Sequence, residues 1–367
     1  MGVKIASEQV ANMLNQWYGQ IKQQDIHSAK IMRSEIEETM KNMEQDQNVL
    51  LYFNMIDSRY KLLLENYTES GSLLKSLKNQ TEENKTDDML QYYFYFFSGL
   101  YEFYVKNFTK AINFYRIAES KLHKIPDEIE NAEFHYQVAI AYYKIKQHFF
   151  SLNHIEKALA SFKAYEEYSN RAIKSTMVLA ANYVDLYRFD EAIKLYKQAV
   201  EKARITEDAF SESLAYFNLG VCYERLDHFS EAMEYLQKAI DIPENRQSVS
   251  AIRTMYMLSR VLYKTNSLDE ARAWYQKSLS KAEEAADFEY KAKLQIIYSL
   301  YDQHDSACLD EGLEQLKNKK LWSDVAELTS LAAYHYKKEG DIHNSAKYFE
   351  QACHAKDQIL KLTEVLS

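Results

Sequence analysis

The segment AYFNLGVCYERLDHFSEAMEYLQKAID, residues 215–241, alternates large and small side chains in the order that a close-packed pair of antiparallel helices requires. Gly220 and Ala232 are small enough to let two backbones approach, and Tyr223 and Phe229 fill the space that remains. The skeleton recurs upstream at Tyr183, Phe189, Ala192, Tyr196 and Ala199, and earlier at Gly99, Phe108, Ala111, Tyr115 and Ala118. Downstream it returns at Leu268, Ala271 and Tyr275, then at Gly340-Asp341, Phe349 and Ala352. Segments 132–165 and 286–317 keep the helical period with a degenerate skeleton. The pattern predicts a tetratricopeptide-type superhelix of about seven helical hairpins over 90–367. Ala192, Ala232 and Ala271 are 40 and 39 residues apart, beyond the usual period of about 34, so helix ends or links must be extended.

Composition agrees with an all-α chain. Only 7 Gly and 2 Pro occur in 367 residues, too few for the turns of a β-rich protein. The net charge of −9 argues against nucleic acid as a partner, since phosphate binding needs a basic stripe. Cys222, Cys308 and Cys353 are widely spaced, which predicts reduced thiols and a cytoplasmic setting. The start MGVKIASEQV lacks a signal-type apolar core, and no apolar run approaches membrane-spanning length. Gly2 is a weak match to a myristoylation site and is set aside.

Residues 1–67 do not follow the repeat skeleton. Three amphipathic stripes predict a three-helix bundle there: Val10, Met13, Leu14, Trp17 and Ile21; Met32, Ile36, Met40 and Met43; Leu51, Met55, Leu62 and Leu63. Acidic residues outnumber basic ones in this region, which speaks against a DNA-reading helix pair. Residues 68–89 are polar and read as a mobile linker, with some helix through Leu73, Leu74 and Leu77.

Two sets of residues stand out. On an inner repeat helix, Asn182 and Asp185 are spaced i and i+3, and Asn218 holds the matching place one unit later. An asparagine offers a donor and an acceptor, which suits the backbone of an extended peptide, and Asp185 suits a cation. Solvated groove residues without a ligand are the plainer reading of the same spacing. The second set is the run Gln45-Asp46-Gln47 at a helix junction. An amide is no base at neutral pH, but it can fix a water in line with a phosphoryl group. A polar turn in which Asp46 caps the next helix is the plainer alternative.

The ten histidines show no metal-ligand spacing; His148 and His154, six apart, fall on different helix faces. Phosphate loops, nucleophile triads and CxxC pairs are absent, so a self-contained enzyme is not expected.

Over its whole length the chain resembles the Rap proteins of Bacillus and relatives. The likeness rests on LNQWYGQIKQ, NMEQDQNVLLYF, LQYYFYFFSGLYEFYVKNFTKAINFYRIAESKL, IENAEFHYQVAIAYYKIKQHFFS and AANYVDLYRFDEAIKLY. It implies a three-helix bundle that binds a response regulator, a linker, and a repeat groove that binds a short Phr signalling peptide. It implies that Gln47, beside Asp46, enters a regulator's active site and positions the hydrolytic water, giving a response regulator aspartate phosphatase. It also implies that Asn182, Asp185 and Asn218 anchor the peptide, and that peptide binding packs the bundle against the repeats. The chain would need no cofactor of its own; Mg2+ is expected in the regulator. Other family members grip a DNA-binding response regulator without hydrolysis, and this is the alternative. The family's EEDQ stretch reads Glu44-Gln45-Asp46-Gln47 here, so its second acid is an amide.

Overall fold

A computed structural model describes residues 4–83 and 87–364. Gly2, the stretch 84–86 of the expected linker, and residues 365–367 lie outside them. Contact density divides the chain into two compact units, 1–172 and 173–365, apart from single terminal residues.

The first unit holds α1 (Ser7–Gln23), α2 (Ile26–Met40), α3 (Gln47–Leu63), α4 (Tyr67–Glu83), α5 (Asp88–Tyr104), α6 (Phe108–Leu122), α7 (Glu128–Lys144) and α8 (His148–Lys163). It ends in the first residues of α9 (Ser169–Asp185), which continues into the second unit. There follow α10 (Phe189–Ile205), α11 (Ala209–Arg225), α12 (Phe229–Asp241), the short α13 (Pro243–Gln247), α14 (Ala251–Lys264) and α15 (Leu268–Glu284). The series closes with α16 (Phe288–Tyr298), α17 (Ser306–Asn318), α18 (Trp322–Glu339) and α19 (Ile342–Glu364). The only extended pairing among the described residues is an isolated bridge between Ile5 and Met43.

From α5 onward the described residues form antiparallel pairs: α5–α6, α7–α8, α9–α10, α11–α12, α14–α15, α16–α17 and α18–α19. The long repeat spacing has two causes. Several repeat helices run to 17 residues, and α13 is inserted between α12 and α14. Gly220 shows why the skeleton needs a small residue. A Cβ there would lie 2.6 Å from Leu236 Cγ and 3.2 Å from the Ala232 carbonyl. Turns between helices repeatedly place a non-glycine residue in the left-handed region, among them Lys106, Tyr187, Asn266 and Ala286, where a Cβ costs about 1–2 kcal/mol.

The expected stripes of the first three helices face inward, with Met13, Met32, Met40, Met43 and Leu63 half-buried against the core. Val10, Leu14, Trp17, Ile21, Ile36 and Met55 have no exposed surface, and Leu51 and Leu62 are nearly as covered. A side chain of this size contributes about 1.5–3 kcal/mol on full burial. That core does not stop at residue 67. Tyr18 packs edge-on against Tyr93 and Phe97 of α5, and Tyr52 packs against Tyr93, so bundle and first repeats share one apolar interior.

The segment read as a mobile linker differs most from expectation. Residues 67–83 form the helix α4, with Ser70, Leu74 and Leu77 buried at helical spacing. Its Gly71 admits the ring of Tyr101, which a Cβ would meet at 2.6 Å. Ser58 and Ser70 share a hydroxyl hydrogen bond of 2.9 Å that ties α3 to α4. The helix expected through Leu73, Leu74 and Leu77 is present, and it is longer than its polar composition suggested because its apolar stripe is only a few residues wide.

Candidate functional site

Gln47 is the first residue of α3 and is exposed. The Asp46 carboxylate accepts hydrogen bonds from the backbone N–H groups of Asn48 (3.0 Å) and Val49 (3.3 Å), so Asp46 is the helix cap. Its role in this structure is to start the helix that carries Gln47. The loop before it is pinned from the other side, because Ile5 donates to the Asn42 carbonyl and Glu44 donates to the Ile5 carbonyl, both at 2.9 Å. Gln45 is exposed beside them. An amide is thus displayed at the tip of a braced turn.

The rest of α3 is anchored. Arg33 of α2 forms a two-armed pair with Asp57, at 2.6 and 3.3 Å. Tyr52 donates to Asn15 of α1 at 3.0 Å.

Where the bundle meets α7, charges are buried in a cluster that the sequence did not announce. Lys22 of α1 lies 2.8 Å from Asp127 and 3.4 Å from Glu130. The hydroxyls of Tyr18 and Tyr92 donate to Glu130 at 3.1 and 2.9 Å. Arg59 of α3 lies 3.6 Å from Glu133, whose carboxylate also accepts from Arg171 and, at 2.8 Å, from Gln137. Burial alone would raise both acids. It prevails at Glu130, which sits above the usual carboxylate range, but at Glu133 the Arg171 and Arg59 guanidiniums outweigh it and hold the group low. The signal for this cluster was faint: Glu130 and Glu133 lie three apart, on one face of a helix otherwise rich in apolar residues.

The expected groove residues lie in the second unit. Asn182 has no exposed surface, and its amide donates to the Val178 carbonyl one turn back at 2.9 Å. Asp185 accepts from Arg225 of α11 at 2.5 Å. Asn218 is half-buried, with its amide nitrogen 3.8 Å from the sulfur of Met177. The three therefore lie on α9 and α11, which touch through Asp185–Arg225 and Asn218–Met177. Asn182 presents no surface here, and Arg225 is a partner of Asp185 that sequence spacing did not supply.

Cys222, Cys308 and Cys353 are free, and burial pushes the Cys222 thiol up to about 11. Among the described residues no helix is long and apolar enough to cross a membrane.

Comparison with known proteins places this arrangement. Residues 4–65 match the family described as response regulator aspartate phosphatase H, N terminal, and residues 174–245 and 252–287 match tetratricopeptide repeats. Regulatory protein RapK of Bacillus subtilis is 34% identical, covering 99% of this chain and 100% of its own length. Response regulator aspartate phosphatase I of the same organism is 30% identical, covering 98% of this chain and 93% of its own. Among solved structures, a Rap protein complexed with competence and sporulation factor is 32% identical and covers 97% of this chain and 99% of its own, with a TM-score of 0.90. The apo form of RapI, 30% identical over 96% and 98%, gives 0.69. With a braced N-terminal head, tetratricopeptide hairpins behind it and relatives matched from end to end, the chain belongs to the Rap family.

Proposed function

We propose that this protein dephosphorylates an aspartyl-phosphorylated response regulator and that a short Phr-type peptide, bound in the repeats, inhibits it. The observation that carries the reading is the exposed Gln47 at the first turn of α3, braced by the Asp46 cap. In the regulator's active site the Gln47 side-chain carbonyl accepts a hydrogen bond from a water and aligns it with the phosphorus. The water oxygen bonds to phosphorus, the bond from phosphorus to the aspartyl oxygen breaks, and inorganic phosphate leaves. Mg2+ in this reaction belongs to the regulator. Asp46 acts by positioning, because its carboxylate is occupied in the cap.

Peptide control is assigned to Asn182, Asp185 and Asn218, acting inside the cell. Asp185 is paired with Arg225, so a cationic group of the peptide would compete with that guanidinium. The shared core of α1, α3, α5 and α7 supports reading the present form as the inhibited one. Docking of the head is then the two-state element that the peptide biases.

A second reading is sequestration of a DNA-binding response regulator without hydrolysis. Gln45, in the place of an acid, and the likeness to RapK, a regulatory protein, favour it. The test is release of phosphate from a panel of phosphorylated regulators, with and without peptide. Hydrolysis that stops in Gln47→Ala while binding persists supports the first reading; loss of promoter binding with the phosphoryl group retained supports the second.

A further inference from the structure

Three ligand atoms converge where α6, α7 and α8 meet, away from Gln47 and from the α9–α11 residues. The Nδ1 atoms of His135 and His154 are 2.8 Å apart, and the carboxylate of Glu119 joins them so that all three atoms lie within 4.8 Å of one another. His154 is buried, His135 half-buried and Glu119 exposed, so the cluster opens to solvent on the carboxylate side. The rings are held. Tyr142 stacks on His154 at 5.9 Å, and Phe134 meets His135 edge-on at 5.6 Å. Two neutral imidazoles facing through Nδ1 share one proton between two acceptor positions, and a metal ion would replace that proton.

We propose that Glu119, His135 and His154 form a binding site for a divalent transition-metal ion of the zinc class, with one coordination position left to water. Two imidazoles and one carboxylate are an established donor set for such an ion, with bonds of about 2.0 Å and ligand atoms about 3.3 Å apart in a tetrahedron. The imidazole pair must open by about 0.5 Å to reach that spacing. The carboxylate must close by up to about 1.5 Å, within the reach of an exposed glutamate rotamer. Burial keeps both imidazoles below their ordinary range, His135 at about 3 and His154 at about 4, which is the metal-ligating form. Lys157 adds to both shifts, and its repulsion is one the ion must overcome. The site would tie α6 to α7 and α8, and so link two successive hairpins. It departs from the expectation of no metal, because the partner of His154 is nineteen residues away on the preceding helix.

The test titrates chelator-stripped full-length protein with Co2+, read by visible absorption, followed by displacement with Zn2+. Wild type is expected to bind one equivalent with a tetrahedral cobalt spectrum and to melt at a higher temperature with Zn2+. Glu119→Gln should weaken binding by at least about tenfold, and His154→Gln should abolish both the spectrum and the thermal shift. Should His154→Gln fail to fold, the exposed Glu119→Gln variant decides alone. The proposal is overturned if folded wild type gives no tetrahedral spectrum at millimolar Co2+. It is equally overturned if Glu119→Gln binds with unchanged affinity, which would place the ion at other histidines.

Discussion

The guanidinium of Arg59 lies 3.6 Å from the buried carboxylate of Glu133, and Arg59 stands twelve residues along the same helix that begins with Gln47. The helix that displays the amide is therefore held, through its interior, to the second helical hairpin. Glu133 is also the acceptor for Arg171, so one carboxylate pairs with two buried cations.

Removing that charge takes away the buried carboxylate that Arg59 and Arg171 share. Glu133→Gln is expected to destabilise the protein by about 3–5 kcal/mol in urea unfolding. Amide exchange in α1 and α3 should accelerate more than in α18 and α19. Equal acceleration throughout would mean that the cluster does not hold the head.

The acid dependence follows from the direction of the Glu133 shift. Its folded-state value is depressed, so the stabilisation is complete above the unfolded carboxylate value of about 4.3 and is lost as pH falls through the folded value. The stability gap between wild type and Glu133→Gln should be constant near neutrality and close below about pH 4. Denaturant titrations across pH 3–7 measure it, as a rough window set by that reference value.

Gln47→Ala should lower regulator dephosphorylation by about a hundredfold or more, since positioning a water is worth that much, with regulator affinity changed little. Asp46→Ala should act through the helix start, costing about 0.5–2 kcal/mol of stability and a smaller share of activity. Single-turnover phosphate release together with a binding titration separates the two effects.

Asn218→Ala should leave the peptide-free activity intact and weaken inhibition by peptide. Arg225→Ala removes the guanidinium paired with Asp185 and should change peptide affinity without touching hydrolysis. Isothermal titration with the cognate peptide reads both; unchanged affinity in both variants would remove these residues from the peptide site.

Ala286 is exposed with a φ of 51°, a region where its Cβ is crowded. Ala286→Gly should stabilise by up to about 1 kcal/mol, the strain relieved being partly offset by the entropy of glycine. Thermal unfolding checks the sign.

Periodicity by itself determined the helical hairpins, the inward stripes of Val10, Leu14, Trp17 and Ile21, and the need for Gly220, because these depend on spacing within one or two helices. Asp46 was legible as a cap for the same local reason. Tertiary structure alone decided that the helix over 67–83 packs through Ser70, Leu74 and Leu77 and is no linker, that Lys22 and Arg59 find Glu130 and Glu133, that Arg225 covers Asp185, and that His135 faces His154. Each of those outcomes joins side chains from different helices. Their energy comes from desolvating opposite charges, or paired rings, in one place, and a one-dimensional pattern carries no record of which faces will meet.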